Sequence, residues 1–214
     1  MSLASRISAR LRAGGGRLYR QTGRRVMQRR LRDAVADGSR VHFGCGEVHL
    51  DGWVNVDGDR ACHPDLWTDL RWGFPVETGA LEYVFSEHVL EHLALEEATV
   101  LLSDCRRGLG ADGVLRIAVP DLAAIIDAYR GDWRDQDWVR WPDWQHLDSA
   151  AHMLNVAVRE WGHRYLYDEA ELRLRLREAG FSRIERVAWG SSEHPPLRDL
   201  ERRLDSKLIV EARP

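Results

Sequence analysis

The chain has 214 residues, near-average apolar content and a formal net charge of −3, enough to bury one sizeable core and too short for two full enzyme domains with linkers. That charge offers no basic stripe of the kind nucleic-acid binding needs, so the expected partner is a small or neutral molecule. Cys45, Cys62 and Cys105 form no C-x-x-C pair, which argues against a disulfide framework or a thiolate zinc site and for a reducing cytoplasm. No apolar run approaches the ~20 residues needed to cross a bilayer, so the sequence reads as soluble and unexported, without stable membrane insertion.

Residues 1–37 are rich in arginine, with Leu3, Ile7, Leu11, Leu18 and Val26 at loosely helical spacing around Gly14-Gly15-Gly16. They read as a helical N-terminal extension, its basic face solvated or covering the cofactor rather than lying on a membrane. Residues 38–214 read as a single domain. In it, β-rich runs over 41–43, 53–56, 81–85 and 114–119 precede or separate helical runs over 87–93, 95–109, 122–129 and 168–179, the last stopped by Gly180. Strands alternating with helices predict a doubly wound α/β fold with a mostly parallel sheet. The last strands, 182–189 and 207–212, are joined by a polar connection containing Pro195-Pro196 instead of a crossover helix, which predicts an antiparallel C-terminal pair.

The chemistry begins at the end of the first strand. Phe43-Gly44-Cys45-Gly46 supplies glycines where the chain turns tightly and a ligand approaches the backbone, and Val54-Asn55-Val56-Asp57 places a carboxylate beside that turn for two ribose hydroxyls. A third glycine is missing, and ten residues separate Gly46 from Asp57, leaving little room for a phosphate-binding helix. A pyrophosphate-bearing dinucleotide is therefore disfavoured. S-adenosylmethionine, with ribose and adenine but no phosphate, suits the short loop. Asp69 and Leu70, in Trp67-Thr68-Asp69-Leu70, are placed at the adenine edge and face.

Four stretches carry a resemblance: residues 41–46 with Gly52-Trp53-Val54-Asn55-Val56-Asp57; Phe85-Ser86-Glu87-His88-Val89-Leu90-Glu91-His92-Leu93; residues 113–122 around Val119-Pro120-Asp121; and Gly162-His163-Arg164-Tyr165-Leu166-Tyr167. Together they resemble the class I (Rossmann-like) S-adenosylmethionine-dependent methyltransferases, in particular a small subgroup associated with glycan and secondary-metabolite pathways. The resemblance implies a seven-stranded sheet with an antiparallel last strand. It places the cofactor across the C-terminal ends of the first strands, on Phe43, Gly44, Cys45, Gly46, Asp57, Asp69, Leu70, Ser86 and Glu87, and the acceptor above the fourth and fifth strands. His88-Val89-Leu90-Glu91-His92 also reads H-x-x-E-H, the inverted zinc-peptidase signature, but its place directly after a strand of the nucleoside-binding pattern sets zinc hydrolysis aside. Glu91 and His92 are read as capping or bracing residues.

A hydroxyl acceptor needs a base or a divalent metal to take its proton, and the candidates are His88, Asp121 and His163; Asp121 reads equally as a helix N-cap and His163 as a partner of a loop carbonyl. The segment 129–161 interleaves Trp133, Trp138, Trp141 and Trp144 with Asp132, Asp135, Asp137, Asp143, His146 and Asp148. Indoles stack on pyranose rings and carboxylates accept from sugar hydroxyls, so Trp141, Trp144, His146 and Tyr165 are the expected substrate residues of a small-molecule or oligosaccharide acceptor site. The same tryptophans read as a lid core or as a subunit interface, a homodimer being the assembly then expected. The Asp and His cluster is compatible with Mg²⁺, although its spacing identifies no ligand set. The expected activity is O-methylation of a sugar hydroxyl; a natural-product phenol, carboxylate or amine as acceptor, and a noncatalytic binding domain on the same fold, are the alternatives.

Overall fold

The computed structural model describes residues 40–214, together with residue 29 and residues 33–35, which are helical; the rest of the expected N-terminal extension lies outside the described residues. Seven strands form one sheet: β1 (Arg40–Phe43), β2 (Val54–Asp57), β3 (Leu66–Trp67), β4 (Leu81–Glu87), β5 (Leu109–Val119), β6 (Arg183–Arg186) and β7 (Leu208–Arg213), in the order β3-β2-β1-β4-β5-β7-β6. Only the two pairings of β7, with β5 and with β6, are antiparallel. The long helices are α1 (Leu95–Gly108), α2 (Leu122–Arg130), α3 (Ala150–Arg159) and α4 (Glu169–Glu178).

The strands are where they are because alternate residues have apolar surface to bury on both faces. Val41, Phe43, Val56, Val84, Leu115 and Ile117 meet Leu101, Leu102, Leu172 and Leu176 of α1 and α4 in the main core. On the other face, Phe85 and Val114 pack under Leu197 and Leu200 of the connection between β6 and β7. Local signals set the helix ends. Glu97 accepts from the Ala94 N–H at 2.9 Å to start α1, Asp168 accepts from the Glu171 N–H at 2.8 Å to start α4, and Gly180, at φ 97°, follows the end of α4.

Three features depart from the sequence reading. The helix expected over 87–93 does not form: β4 continues to Glu87, His88 turns in the left-handed region at φ 52°, and a single 3₁₀ turn spans Leu90–His92. The His88 N–H still donates to the Ala118 carbonyl of β5 at 2.9 Å, so strand pairing holds the backbone that a helix would need. Helix α3 was not expected; its buried stripe of Met153, Val156 and Ala157 lies in the segment whose tryptophans and aspartates dominate the pattern. β3 has two residues, too few for any periodicity to register.

On the face away from the main core, Arg116 of β5 is fully buried. Its Nε donates to Glu201 at 2.6 Å, and its Nη1 donates to Glu211 at 2.5 Å and to the Ser191 carbonyl at 2.8 Å, so one cation ties β5, β7 and the C-terminal connection together. Arg116→Met leaves two buried carboxylates without their cation and is expected to cost about 3–5 kcal/mol in urea unfolding. His42, buried against Phe85 and 3.3 Å from Asn55 Oδ1, is pulled by burial from 6.5 to about 4 and stays neutral in the folded chain. The unfolded chain takes up this proton near pH 6.5, the folded chain only near 4, so stability present above that window is lost as pH falls through it, by about 3 kcal/mol. Urea unfolding at pH 7 and pH 4 checks this: His42→Gln should lose less between the two than the wild type.

Candidate functional site

The turn after β1 is built for close approach. The Gly44 and Cys45 N–H groups donate to the Val56 carbonyl at 2.8 and 3.2 Å, and Gly44 and Gly46 sit at φ 65° and 50°. A Cβ on Gly44 would stand 2.2 Å from Val89 Cγ2, so this turn passes beneath Val89 only as glycine; at Gly46 nothing lies within 4 Å of the Cβ position, and the space above the turn is open. Asp57 is fixed from both sides: Oδ2 accepts from the Gly46 N–H at 2.8 Å and Oδ1 from the Asp59 N–H at 2.7 Å. Each oxygen retains acceptor capacity for a further donor, which is what a ribose diol needs.

The other residues expected at the cofactor divide. Phe43 is buried edge-on to Phe74 and belongs to the core, and Ser86 lies opposite it in the β1/β4 register. Cys45 is buried, and desolvation followed by the Asp57 charge pushes its thiol up to about 12, so it stays protonated. Burial works against the charge on Asp69, but Arg71 outweighs it and holds the carboxyl below its usual range: Arg71 Nη2 lies 2.7 Å from Oδ2, and the Arg71 N–H donates to Oδ1 at 3.1 Å, making Asp69 the cap of the 3₁₀ turn Leu70–Trp72. Leu70 is buried in the main core. Glu87 points to the C-terminal connection instead: its carboxylate accepts from the Arg202 and Arg203 N–H groups at 3.0 and 3.1 Å and from the Ser206 hydroxyl at 2.7 Å.

Above the ends of β4 and β5 opens a cavity of about 270 Å³ that collects His88, Asp121, His163 and Trp141 from four separate segments. The connection before β7 adds Arg203 and Asp205, and Lys207 reaches across to Asp137 at 2.7 Å. Trp138 and Trp161 also line the cavity. None of these C-terminal residues carries a local sequence signal; they arrive because β7 folds back antiparallel and Glu87 anchors the loop that precedes it.

Each candidate base has a distinct setting. His88, nearly buried, has Nδ1 3.1 Å from Glu91 Oε1 and Nε2 3.9 Å from Asp205 Oδ1. Asp121 is committed on both oxygens, Oδ1 accepting from the Ala123 N–H at 3.0 Å as the cap of α2 and Oδ2 pairing with Arg186 at 3.0 Å. His163 has Nδ1 2.8 Å from the Ala157 carbonyl, and burial lowers its pKa more than that carbonyl and Glu91 restore it. Among the described residues four non-glycine residues have positive φ, and two of them, His88 and Trp161, line this cavity, where local backbone strain most often serves a site.

Of the four expected substrate residues, Trp141 lines the cavity and the other three do not. Trp144 packs edge-on against Trp138 and Trp161, His146 lies against Trp144 and His152, and the Tyr165 hydroxyl donates to Glu171 at 2.6 Å. The aspartates whose composition is compatible with Mg²⁺ do not converge: Asp132 caps a 3₁₀ turn, Asp135 pairs with Arg140, Asp137 with Lys207 and Asp148 with His152. Among the described residues the cluster with ligand spacing is Glu91, His92 and His163, whose donor atoms all lie within 4.8 Å of one another. No helix among the described residues is long and apolar enough to cross a membrane.

No protein-family model and no curated protein matches the chain. Solved structures do. A SAM-dependent methyltransferase from Archaeoglobus fulgidus is similar over 89% of this chain and 94% of its own, at 15% identity and a TM-score of 0.50. A SAM-dependent methyltransferase from Thermotoga maritima is similar over 95% of this chain and 96% of its own, at 13% identity and a TM-score of 0.50. The likeness establishes the fold, a seven-stranded mixed sheet of the class I methyltransferase kind with an antiparallel last strand. The anchoring by Glu87 is directly testable: Glu87→Ala should cost about 1–3 kcal/mol and speed amide hydrogen exchange at residues 202–206 well beyond the change elsewhere in the sheet.

Proposed function

We propose that this chain transfers a methyl group from S-adenosylmethionine to a hydroxyl of a sugar or oligosaccharide. One juxtaposition carries the reading: Val89 closes over Gly44 of the turn while its neighbour His88 faces the cavity, so cofactor and acceptor regions meet at a single peptide. The open space over Gly46 and the remaining acceptor capacity of Asp57 fit a nucleoside. When bound, S-adenosylmethionine supplies a methyl group already activated on a sulfonium.

The remaining work is alignment, exclusion of water and removal of one proton. Trp141, 38% exposed, offers an indole face to a sugar ring, and Asp137 and Gln136 stand beside it as hydrogen-bonding groups. His88 Nδ1 lies against Glu91 Oε1 at 3.1 Å, and Nε2 is the nitrogen we assign to the acceptor hydroxyl. His88 takes that proton as the oxygen–methyl bond forms and the methyl–sulfur bond breaks, its electron pair remaining on sulfur, and Asp205 stands 3.9 Å from Nε2 to stabilise the imidazolium that results. Asp121, both oxygens engaged, is a positioning residue that fixes the start of α2 on the cavity wall.

Calorimetry with S-adenosylmethionine should give saturable binding at micromolar concentrations, weakened by about 1–3 kcal/mol in Asp57→Ala. An unchanged affinity in that variant removes Asp57 from the ribose. With labelled S-adenosylmethionine and a panel of oligosaccharides, phenols, carboxylic acids and amines, label should appear on a sugar hydroxyl, and His88→Ala should lower kcat by about 10²–10⁴-fold with cofactor affinity retained. Label only on phenols, carboxylates or amines would overturn the sugar assignment.

A further inference from the structure

We propose that Glu91, His92 and His163 form a binding site for a divalent transition-metal ion of the zinc class, with its remaining coordination position toward the cavity. Two remote segments build it, and the backbone clamps them together: the Arg164 and Tyr165 N–H groups both donate to the Glu91 carbonyl, at 2.8 and 3.1 Å. Donor atoms of the three side chains then lie within 4.8 Å of one another, close enough to contract onto one ion by small side-chain rotations.

The decisive feature is Glu91. It is 0% exposed, and neither carboxylate oxygen has a hydrogen bond, although His88 Nδ1 lies 3.1 Å from Oε1. A buried carboxylate without a hydrogen bond is costly, and a cation at this point compensates it. His163 is prepared for the same task. With Nδ1 donating to the Ala157 carbonyl at 2.8 Å, its lone pair sits on Nε2, the arrangement by which a backbone carbonyl fixes the tautomer and orientation of a ligating imidazole. His88, beside Glu91 Oε1, is placed to support the ligating carboxylate from outside.

Two imidazoles and one carboxylate form a borderline nitrogen and oxygen set that suits zinc and its first-row neighbours, whereas Mg²⁺ keeps oxygen ligands and several waters. The set also differs from the one H-x-x-E-H suggests: His88 is not a ligand, no helix is present, and the third ligand comes from His163. Because His92 and His163 both line the cavity, the fourth position opens there. Resting on the methyl-transfer reading, that position is where an acceptor oxygen would bind, its proton more easily lost to His88.

The test is binding, not turnover. The full chain, stripped with chelator, is titrated with Co²⁺ and then with Zn²⁺ or Mg²⁺, following the visible ligand-field absorption. The expected result is about one equivalent of Co²⁺ per chain, displaced by Zn²⁺ and not by Mg²⁺, with affinity reduced at least about 100-fold in His92→Ala and His163→Ala and unchanged in His152→Ala, which alters an exposed imidazole outside the cavity. Since Glu91→Gln alters a fully buried residue, its folding is checked by circular dichroism; a folded E91Q chain should show the same loss, and the two histidine variants decide the matter if it does not fold. Absence of Co²⁺ and Zn²⁺ binding at micromolar concentrations, displacement by Mg²⁺, or binding that persists in the His92→Ala/His163→Ala double variant would overturn the proposal. A chain that binds the ion and transfers no methyl group would sink the methyltransferase reading and leave this one standing.

Discussion

Glu87 and His88 are neighbours at the end of β4, and the cavity depends on their facing different ways. The Glu87 carboxylate takes two backbone N–H groups and a hydroxyl from residues 202–206, holding Arg203 and Asp205 over the sheet. His88 then leaves the strand in the left-handed region while its N–H still pairs with β5, so the side chain turns into the cavity and the next residues tighten into a 3₁₀ turn. A helix at this point would have turned Glu91 and His92 to other faces. The short turn instead buries Glu91 and leaves its carbonyl to receive the segment that delivers His163.

The sheet supports this strand end by an unusual distribution of charge. One face of β4 and β5 packs in an apolar core, while the other carries Arg116 between Glu201 and Glu211 beneath the C-terminal connection. Such a triad contributes little net stability over a well-packed apolar replacement, but it is intolerant of losing one member. It joins β5 and β7 to the connection that reaches the cavity, through Glu201, which also accepts from the Gly190 N–H at 3.1 Å.

Much of this was legible in the sequence, for a physical reason. β1, β4 and β5 carry runs of buried, mostly apolar residues, and the glycine turn with Asp57 is a local pair whose chemistry does not depend on distant residues; the hydrogen bond between Gly46 and Asp57 is the contact that their short separation implies. The reading failed where a long-range partner decides. Residues 87–93 have apolar spacing compatible with a helix, but the Ala118 carbonyl captures the His88 N–H. Trp144 and His146 resemble sugar-binding residues by composition and are packed instead against Trp138, Trp161 and His152. Arg203, Asp205 and Lys207 reach the cavity through the antiparallel return of β7; the polar connection before β7 announces that return, but not which of its residues meet the cavity. Glu91 and His92 stood out within H-x-x-E-H, but His163 lies far along the chain, and only the fold brings it beside them.

The proposed function requires a nucleoside on the turn held by Asp57, one peptide away from the cavity. Amide hydrogen exchange of the full chain with and without S-adenosylhomocysteine reads this out at single residues. Exchange should slow at Gly46 and Asp59, the two amides that hold the Asp57 carboxylate, with smaller changes at Val89. Unchanged exchange at Gly46 and Asp59, or protection confined to the tryptophan-rich segment 133–161, would place the ligand elsewhere.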